Sequence, residues 1–180
     1  MTTWLITGGI ASGKSTVCAR LRSAGFPVYD CDSRCKALYD EIPGLKESIE
    51  SVTGLEFSRL PEVFGDPSAL MRLEALVHPL VVEDVRKWIS SQERCRDVFV
   101  ESATALSKPV FKGVFDKVLL VRAPLEARLG RNAKVVVREH FQILPEESQA
   151  HYIIDNSSTR AQLFLEVDRF IEYLKSETKR

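Results

Sequence analysis

The sequence predicts an α/β fold, in which a parallel five-stranded sheet carries helices on both faces. Short runs rich in Val, Leu, Ile and Phe, typical of strands buried on both sides, alternate with segments of helical periodicity. Strands that alternate with helices predict parallel pairing. At 180 residues, 44% hydrophobic and 28% charged, the chain is expected to form one compact domain over residues 1–180.

Five segments along the chain read as strands, namely "TWLIT", "FPVYD", "DVFVES", "KVLLVRA" and "HYIID". After the first of them, "KSTVCARLRSAG" predicts a helix with Gly25 as its C-terminal stop. The last helix, "RAQLFLEVDRFIEYLK", is expected to have a structural role, because its apolar residues share one stripe. Those residues are Leu163, Val167, Phe170, Ile171 and Leu174.

The region between the second and third predicted strands is mostly helical. The periodicity of "DSRCKALYDEIPGLKESIESVTG" is interrupted at Pro43, and "PSALMRLEALVHPLVVEDVRKWISSQ" predicts two helices hinged at His78 and Pro79. We expect residues 32–92, approximately, to form a helical lobe at one end of the sheet.

Charge and cysteine content limit the classes of partner and compartment. The 25 basic and 25 acidic side chains cancel, so no net field attracts nucleic acid or a membrane surface. The four cysteines show no CxxC pair and no histidines at zinc spacing, which favours reduced thiols. No signal-type segment or long apolar run occurs. We expect a cytoplasmic protein without a nucleic-acid or membrane partner, and its oligomeric state stays open.

The stretch "GGIASGKST" matches the phosphate-binding pattern of Gly, four residues, then Gly-Lys-Ser, between a predicted strand and a predicted helix. Backbone N–H groups of such a loop, with the helix N-terminus, form an anion nest. Lys14 is expected to lie along the β- and γ-phosphates and the Ser15 hydroxyl to bind Mg²⁺. A glycine-rich turn that only packs is the alternative. The predicted nucleotide-binding residues are Gly8, Gly9, Ala11, Ser12, Gly13, Lys14, Ser15 and Thr16.

A basic segment before the last strand favours a kinase. The chain has no Asn-Lys-x-Asp segment for reading guanine, and no DxxG follows a strand, which disfavours a GTPase. If "EARLGRNAKVVVREHFQ" is helical throughout, Arg128, Arg131, Lys134 and Arg138 share one face. We predict a lid over about residues 124–150, with arginines that close over the transferring phosphoryl group and exclude water. A solvated face of an amphipathic helix is the alternative.

Carboxylates that follow predicted strands are candidates for the acceptor side. Asp30 and Asp32 end the second strand, beside the phosphate loop, and one of them is expected to orient the acceptor hydroxyl and take its proton. A plain helix N-cap is the alternative role for either. Glu101 ends the third strand and is a candidate for reaching Mg²⁺ through water; an ordinary charge at a strand end is the alternative.

An ordered set of segments resembles the dephospho-CoA kinases, a P-loop family similar to the nucleoside monophosphate kinases. The set is "TGGIASGKSTV", "FPVYDCD", "LEALVHP", "KVLLVRAPLEARLGR", "REHFQILPEES" and "YIIDNSS", and it spans nearly the whole chain. The resemblance implies ATP-dependent phosphorylation of the ribose 3′-hydroxyl of dephospho-CoA, which gives coenzyme A and ADP in the last step of coenzyme A synthesis. It implies ATP and Mg²⁺ as cofactors and dephospho-CoA as the small-molecule substrate.

The resemblance also implies roles for single residues. Asp32 matches the proposed base, and Asn156 matches the residue close to the bound adenine. His78 falls in the lobe that receives the acceptor, although composition alone favours a structural histidine. The lid arginines of the family match Arg128, Arg131 and Arg138.

The chain departs from the family pattern at three places. "VESATALSK" keeps an acid at Glu101 but lacks the proline, the leucine pair and the final Glu that the family has there, and the lid and the "GLEFSRLPEVFG" region are shorter. Two alternatives follow. One is another small-molecule or nucleoside monophosphate kinase, although the lobe is poor in basic residues. The other is a nucleotide-binding P-loop protein with a degenerate acceptor site.

Overall fold

A computed structural model describes residues 1–132, 135 and 146–177. Within these residues the structure contains one parallel sheet of five strands in the order β2-β3-β1-β4-β5. The predicted α/β fold and all five predicted strands are confirmed. The strands are β1 (Thr2–Thr7), β2 (Val28–Asp30), β3 (Asp97–Glu101), β4 (Lys117–Arg122) and β5 (Tyr152–Asp155).

The described part of the chain forms six α-helices and several 3₁₀ segments. The α-helices are α1 (Lys14–Ser23), α2 (Cys31–Glu41), α3 (Leu45–Thr53), α4 (Pro67–Ser91), α5 (Leu125–Arg131) and α6 (Arg160–Glu177). The longest 3₁₀ segment, Phe57–Gly65, lies between α3 and α4, and shorter ones follow β3 or precede β5. The break at Pro43 is confirmed, because α2 ends at Glu41 and α3 begins at Leu45.

Parallel pairing brings the carboxyl ends of the strands to one edge of the sheet. Asp30 pairs with Glu101 across β2 and β3, and Ile6 pairs with Glu101 across β1 and β3. On the other side of β1, Thr7 pairs with Leu120. The chain leaves β1 between β3 and β4, which is the switch point where ligands bind in open α/β sheets.

The core lies on both faces of the sheet. On one face, α1 and α6 cover the β1 side chains Trp4 and Ile6, and Phe170 of α6 meets Trp4 edge to face at 5.2 Å between ring centroids. On the other face, α2, α3 and α4 cover Leu5 and Tyr29. All five residues of the predicted stripe on α6 are buried, which confirms the structural role expected for this helix.

The hinge predicted at His78 and Pro79 is wrong, because α4 is one helix of 25 residues. It begins at Asp66, whose side chain accepts hydrogen bonds from the Ser68 and Ala69 N–H groups. Pro79 lacks an N–H, so one backbone hydrogen bond is missing. The apolar side chains on both sides of Pro79 are buried against one surface, and this burial outweighs the loss.

Across the described residues, the helices are too short or too polar for a membrane span.

Replacing Pro79 with Ala is expected to stabilise the protein by about 2–3 kcal/mol. Proline costs about 3 kcal/mol relative to alanine inside a helix, and restriction of the unfolded chain by proline offsets up to about 1 kcal/mol of this. The control is Pro67→Ala, because Pro67 occupies the first position of α4, where proline is tolerated. Urea unfolding of the three proteins measures the effect, and a lower stability for Pro79→Ala would contradict the account of α4.

Candidate active site

The phosphate loop joins β1 to α1 and adopts backbone conformations that few residues tolerate. Gly8 has φ +145°, Gly13 has φ +103°, and Ala11 has φ +59° although it carries a side chain. The Ser12 N–H donates to the Gly9 carbonyl at 3.0 Å and closes a turn within the loop. The Thr16 N–H donates to the Gly13 carbonyl at 3.0 Å, which starts the helix directly after the loop.

Three glycines are required because neighbouring groups lie close to the loop. A Cβ at Gly8 would lie 2.2 Å from the Val121 carbonyl oxygen. A Cβ at Gly9 would lie 2.4 Å from Arg128 Nη1, and a Cβ at Gly13 would lie 2.3 Å from Asn156 Nδ2. The loop is therefore packed against β4, α5 and the residue that follows β5.

Lys14 is buried at the start of α1, with its amine turned back over the loop. Its Nζ donates to the Gly8 carbonyl at 3.0 Å and to the Gly9 carbonyl at 3.3 Å, and lies 3.9 Å from Glu101 Oε1. Burial lowers the pKa of Lys14, while Glu101 and Asp32 oppose this shift. The amine therefore has to leave the two carbonyls to contact a bound phosphate.

The donors around the loop fit a phosphate chain. The Ser12 hydroxyl is buried and its oxygen has no hydrogen-bond partner among the described residues, which is costly unless an anion or water completes it. Ser15 is exposed on the first turn of α1. The described residues hold no group of three His, Cys, Asp or Glu able to bind a metal by itself. Magnesium here would therefore need phosphate oxygens and water as further ligands.

The carboxylates at the sheet edge differ in environment. Burial raises the pKa of Glu101 to about 7. Repulsion from Asp32 and Asp30 also raises this pKa, and the attraction of Lys14 opposes the rise. Asp30 is the N-cap of α2, and its Oδ1 accepts from the Ser33 N–H at 2.9 Å, so the N-cap alternative is confirmed for Asp30. Asp32 is exposed on the first turn of the same helix. It is the carboxylate most accessible to a substrate in this set.

A helix continuous from Glu126 through Gln142, the condition for placing the four basic residues on one face, is interrupted, because α5 ends at Arg131 and Asn132 is extended at φ −157° and ψ 108°. Arg128 is buried against Gly9. Arg131 is exposed and donates from Nη1 to the Ala11 carbonyl at 3.1 Å. Two of the predicted lid arginines therefore already lie at the phosphate loop. Lys134 and Arg138 fall outside the described residues.

Asn156 lies directly after β5 and is buried. Its backbone N–H donates to the Arg122 carbonyl at 2.7 Å, and its Nδ2 donates to the Ser12 carbonyl at 2.7 Å. It lines a cavity of about 270 Å³ beside the loop residue Gly13. The sequence did not mark Ser158 or Arg160, which also line this cavity.

His78 is half-buried in α4 and lies edge-on to Phe111, with ring centroids 6.1 Å apart. Burial lowers the pKa of His78, so the imidazole is neutral at physiological pH. Glu74 and Lys108, which form an ion pair at 2.6 Å, are the charged groups around it. These contacts tie α4 to the "VESATALSK" segment, which is where the chain departs from the family pattern.

Sequence reasoning missed most of a second cavity, of about 440 Å³, between α2, the 3₁₀ segment and α4. Asp32 lies on its wall, so this cavity adjoins the carboxylates near Lys14. The cavity could have been predicted from the spacing of Asp32, Cys35 and Tyr39 on α2, because residues three and four apart lie on one face of a helix. The lining residues are Asp32, Cys35, Lys36, Tyr39, Leu60, Pro61, Val63, Phe64 and Leu73.

Comparison with known proteins identifies the family of this chain. The family model for dephospho-CoA kinase matches residues 4–162. The chain belongs to the dephospho-CoA kinase family. A dephospho-CoA kinase from Thermus thermophilus is 36% identical over 173 residues, covering 88% of this chain and 84% of that protein.

Solved structures share the fold of this chain. A crystal structure of a Thermus thermophilus protein superposes with a TM-score of 0.78 at 31% identity, covering 98% of this chain and 97% of that one. A dephospho-CoA kinase from Campylobacter jejuni, at 20% identity, shares the fold with a TM-score of 0.68 and covers 98% of both chains.

Gly8→Ala is expected to weaken ATP binding by more than about tenfold, because its Cβ would collide with the Val121 carbonyl and displace the loop. Gly25→Ala is the matched control, since Gly25 also has positive φ but has nothing within 4 Å of the added Cβ. We expect this control to lose about 1 kcal/mol of stability and no ATP affinity. Calorimetric titration with ATP distinguishes the two, and equal affinity losses would contradict the packing described for the loop.

Glu101→Gln is expected to change how stability depends on pH. The raised pKa means that the folded protein holds this proton more tightly than the unfolded chain does, so the associated stability is present below pH 4.5 and is lost as the pH rises through about 7. The stability of the variant relative to the parent should therefore grow by about 3 kcal/mol between pH 4.5 and pH 8. Urea unfolding without Mg²⁺ or nucleotide measures it; a constant difference would show that folding does not raise the pKa of Glu101.

Proposed function

We propose that this kinase transfers the γ-phosphoryl group of ATP to the ribose 3′-hydroxyl of dephospho-CoA, giving coenzyme A and ADP. The observation that carries the proposal is the position of Asp32, which lines the cavity of about 440 Å³ and interacts electrostatically with both Lys14 and Glu101. One carboxylate thus lies at the cavity and within electrostatic range of the phosphate loop. Family membership supplies the reaction.

The residues of the phosphate loop are proposed to bind the triphosphate of ATP, with its adenine near Asn156 and Arg131. Lys14 exchanges its two loop carbonyls for phosphate oxygens and offsets their charge. Magnesium, held by the Ser15 hydroxyl and through water by Glu101, would neutralise charge on the phosphates.

Asp32 is proposed as the base. Its carboxylate orients the acceptor hydroxyl, whose oxygen bonds to the γ-phosphorus as the bond to ADP breaks, and the hydroxyl proton passes to Asp32 and then to water. Because the transition state of phosphoryl transfer is loose, the proton moves late and a strong base is not required. The exposure of Asp32 supports this role, since an acceptor has to reach it.

The helical lobe of about residues 32–92 is proposed to receive the acceptor. The side chains of Tyr39, Leu60 and Phe64 give the cavity apolar walls that suit a base or ribose, and Lys36 offers one positive charge for a phosphate. Asp30 and His78 are proposed to act beside this cavity, Asp30 by starting α2 and His78 by holding α4 against Phe111.

The segment of about residues 124–150 is proposed as the lid. Arg128 and Arg131, which lie at the loop, and Arg138 would stabilise the transferring group and keep water away. We propose the cytoplasm as the compartment, which the four free cysteines support.

The test is phosphoryl transfer from ATP and Mg²⁺ to dephospho-CoA, with the product followed by mass spectrometry. The parent should add one phosphoryl group to the acceptor, and Asp32→Asn should lower kcat by at least about 100-fold with the KM for ATP nearly unchanged. Asp40→Asn is the matched control, because Asp40 lies on the same helix and pairs with Lys46. We expect it to stay close to the parent.

Two outcomes would contradict the proposal. ATP hydrolysis that is independent of acceptor and unchanged in Asp32→Asn would leave a nucleotide-binding protein with a degenerate acceptor site. Faster phosphorylation of a nucleoside monophosphate than of dephospho-CoA would assign the chain to another class of kinase.

A further inference from the structure

We propose that Arg131 and Asn156 are positioning residues, which hold the phosphate loop in its anion-binding conformation by hydrogen bonding to the Ala11 and Ser12 carbonyls. The inference rests on the proposed nucleotide site. It gives both residues a role that does not depend on contact with the adenine or with the transferring phosphoryl group.

The first observation is that two carbonyls of the loop accept hydrogen bonds from side chains outside the loop. Asn156 Nδ2 donates to the Ser12 carbonyl at 2.7 Å, and Arg131 Nη1 donates to the Ala11 carbonyl at 3.1 Å. In a planar trans peptide the carbonyl and the following N–H point in opposite directions. Holding the Ser12 carbonyl from outside therefore turns the Gly13 N–H toward the interior of the loop, where an anion would bind.

The second observation is that the loop needs such support. Ala11 has φ +59°, which costs a residue with a side chain about 1–2 kcal/mol. A conformation of this kind persists only where its surroundings enforce it. The hydrogen bond from Arg131 to the Ala11 carbonyl acts on the strained residue itself.

The third observation is that the two side chains are themselves anchored. The backbone N–H of Asn156 is bonded to the Arg122 carbonyl at the end of β4, at 2.7 Å. Arg131 Nη2 donates to the Asn156 carbonyl at 3.0 Å, so the end of α5, the end of β5 and the loop form one hydrogen-bonded unit. The sheet thereby fixes the geometry of the loop before any phosphate binds.

A test has to separate this role from contact with the base, since both side chains also line the 270 Å³ cavity. The probes are Mg²⁺ with inorganic tripolyphosphate, which has no base, and adenosine, which has no phosphate. The matched control is Arg160→Ala, because Arg160 is an exposed arginine that lines the same cavity but stacks 5.4 Å from the Phe164 ring. It removes the same charge as Arg131→Ala, and among the described residues no hydrogen bond joins Arg160 to the loop.

Calorimetric titration should show tripolyphosphate binding about tenfold weaker in Asn156→Ala and in Arg131→Ala than in the parent. We expect a loss of less than about twofold in Arg160→Ala, because an exposed charge contributes little. Thermal unfolding checks that each variant is folded. If Asn156→Ala does not fold, Arg131→Ala still tests the inference, because Arg131 is exposed and its replacement is expected to leave the fold intact.

Three results would overturn the inference. Unchanged tripolyphosphate binding with weakened adenosine binding would show that both residues act only on the base. An equal loss of tripolyphosphate affinity in Arg160→Ala would show that Arg131 acts only through its charge. Loss of stability without a change in tripolyphosphate affinity would make both residues structural only. Failure of the proposed function looks different, because the parent would then bind tripolyphosphate and ATP without phosphorylating dephospho-CoA.

Discussion

Close packing around the phosphate loop is the constraint on which the rest of this site depends. Gly8, Gly9 and Gly13 each leave no room for a Cβ, because an atom of Val121, Arg128 or Asn156 lies within 2.4 Å of the place that the Cβ would take. The shape of the loop therefore depends both on its own glycines and on the residues packed around it.

The positive charge of Lys14 and the negative charge of Glu101 balance each other at the carboxyl end of the sheet, where both side chains are largely buried. Lys14 and Glu101 are both shifted toward their neutral forms by burial, although they attract each other across 3.9 Å. Such a pair contributes little to stability and is suited to exchange partners when a charged substrate arrives. A site that binds phosphates keeps its positive groups available in this way, at a cost in stability.

The sequence predicted the parts of this protein that depend on local pattern. The five strands, the phosphate loop and the break at Pro43 follow from periodicity and from the special backbone of Gly and Pro. The hinge at Pro79 and a helix unbroken through Asn132 followed from local rules that tertiary packing overrides. The hydrogen bonds of Arg131 and Asn156 to the loop join residues more than 100 positions apart, so no local signal could reveal them.

The most direct test of this account is a crystal structure with Mg²⁺ and a non-hydrolysable ATP analogue. We expect the triphosphate within the loop from Gly8 to Thr16, Lys14 Nζ moved from the Gly8 and Gly9 carbonyls onto phosphate oxygens, and the carbonyls of Ala11 and Ser12 still bonded to Arg131 and Asn156. A nucleotide bound elsewhere, or a loop that releases those two carbonyls on binding, would contradict a phosphate site formed in advance by the sheet.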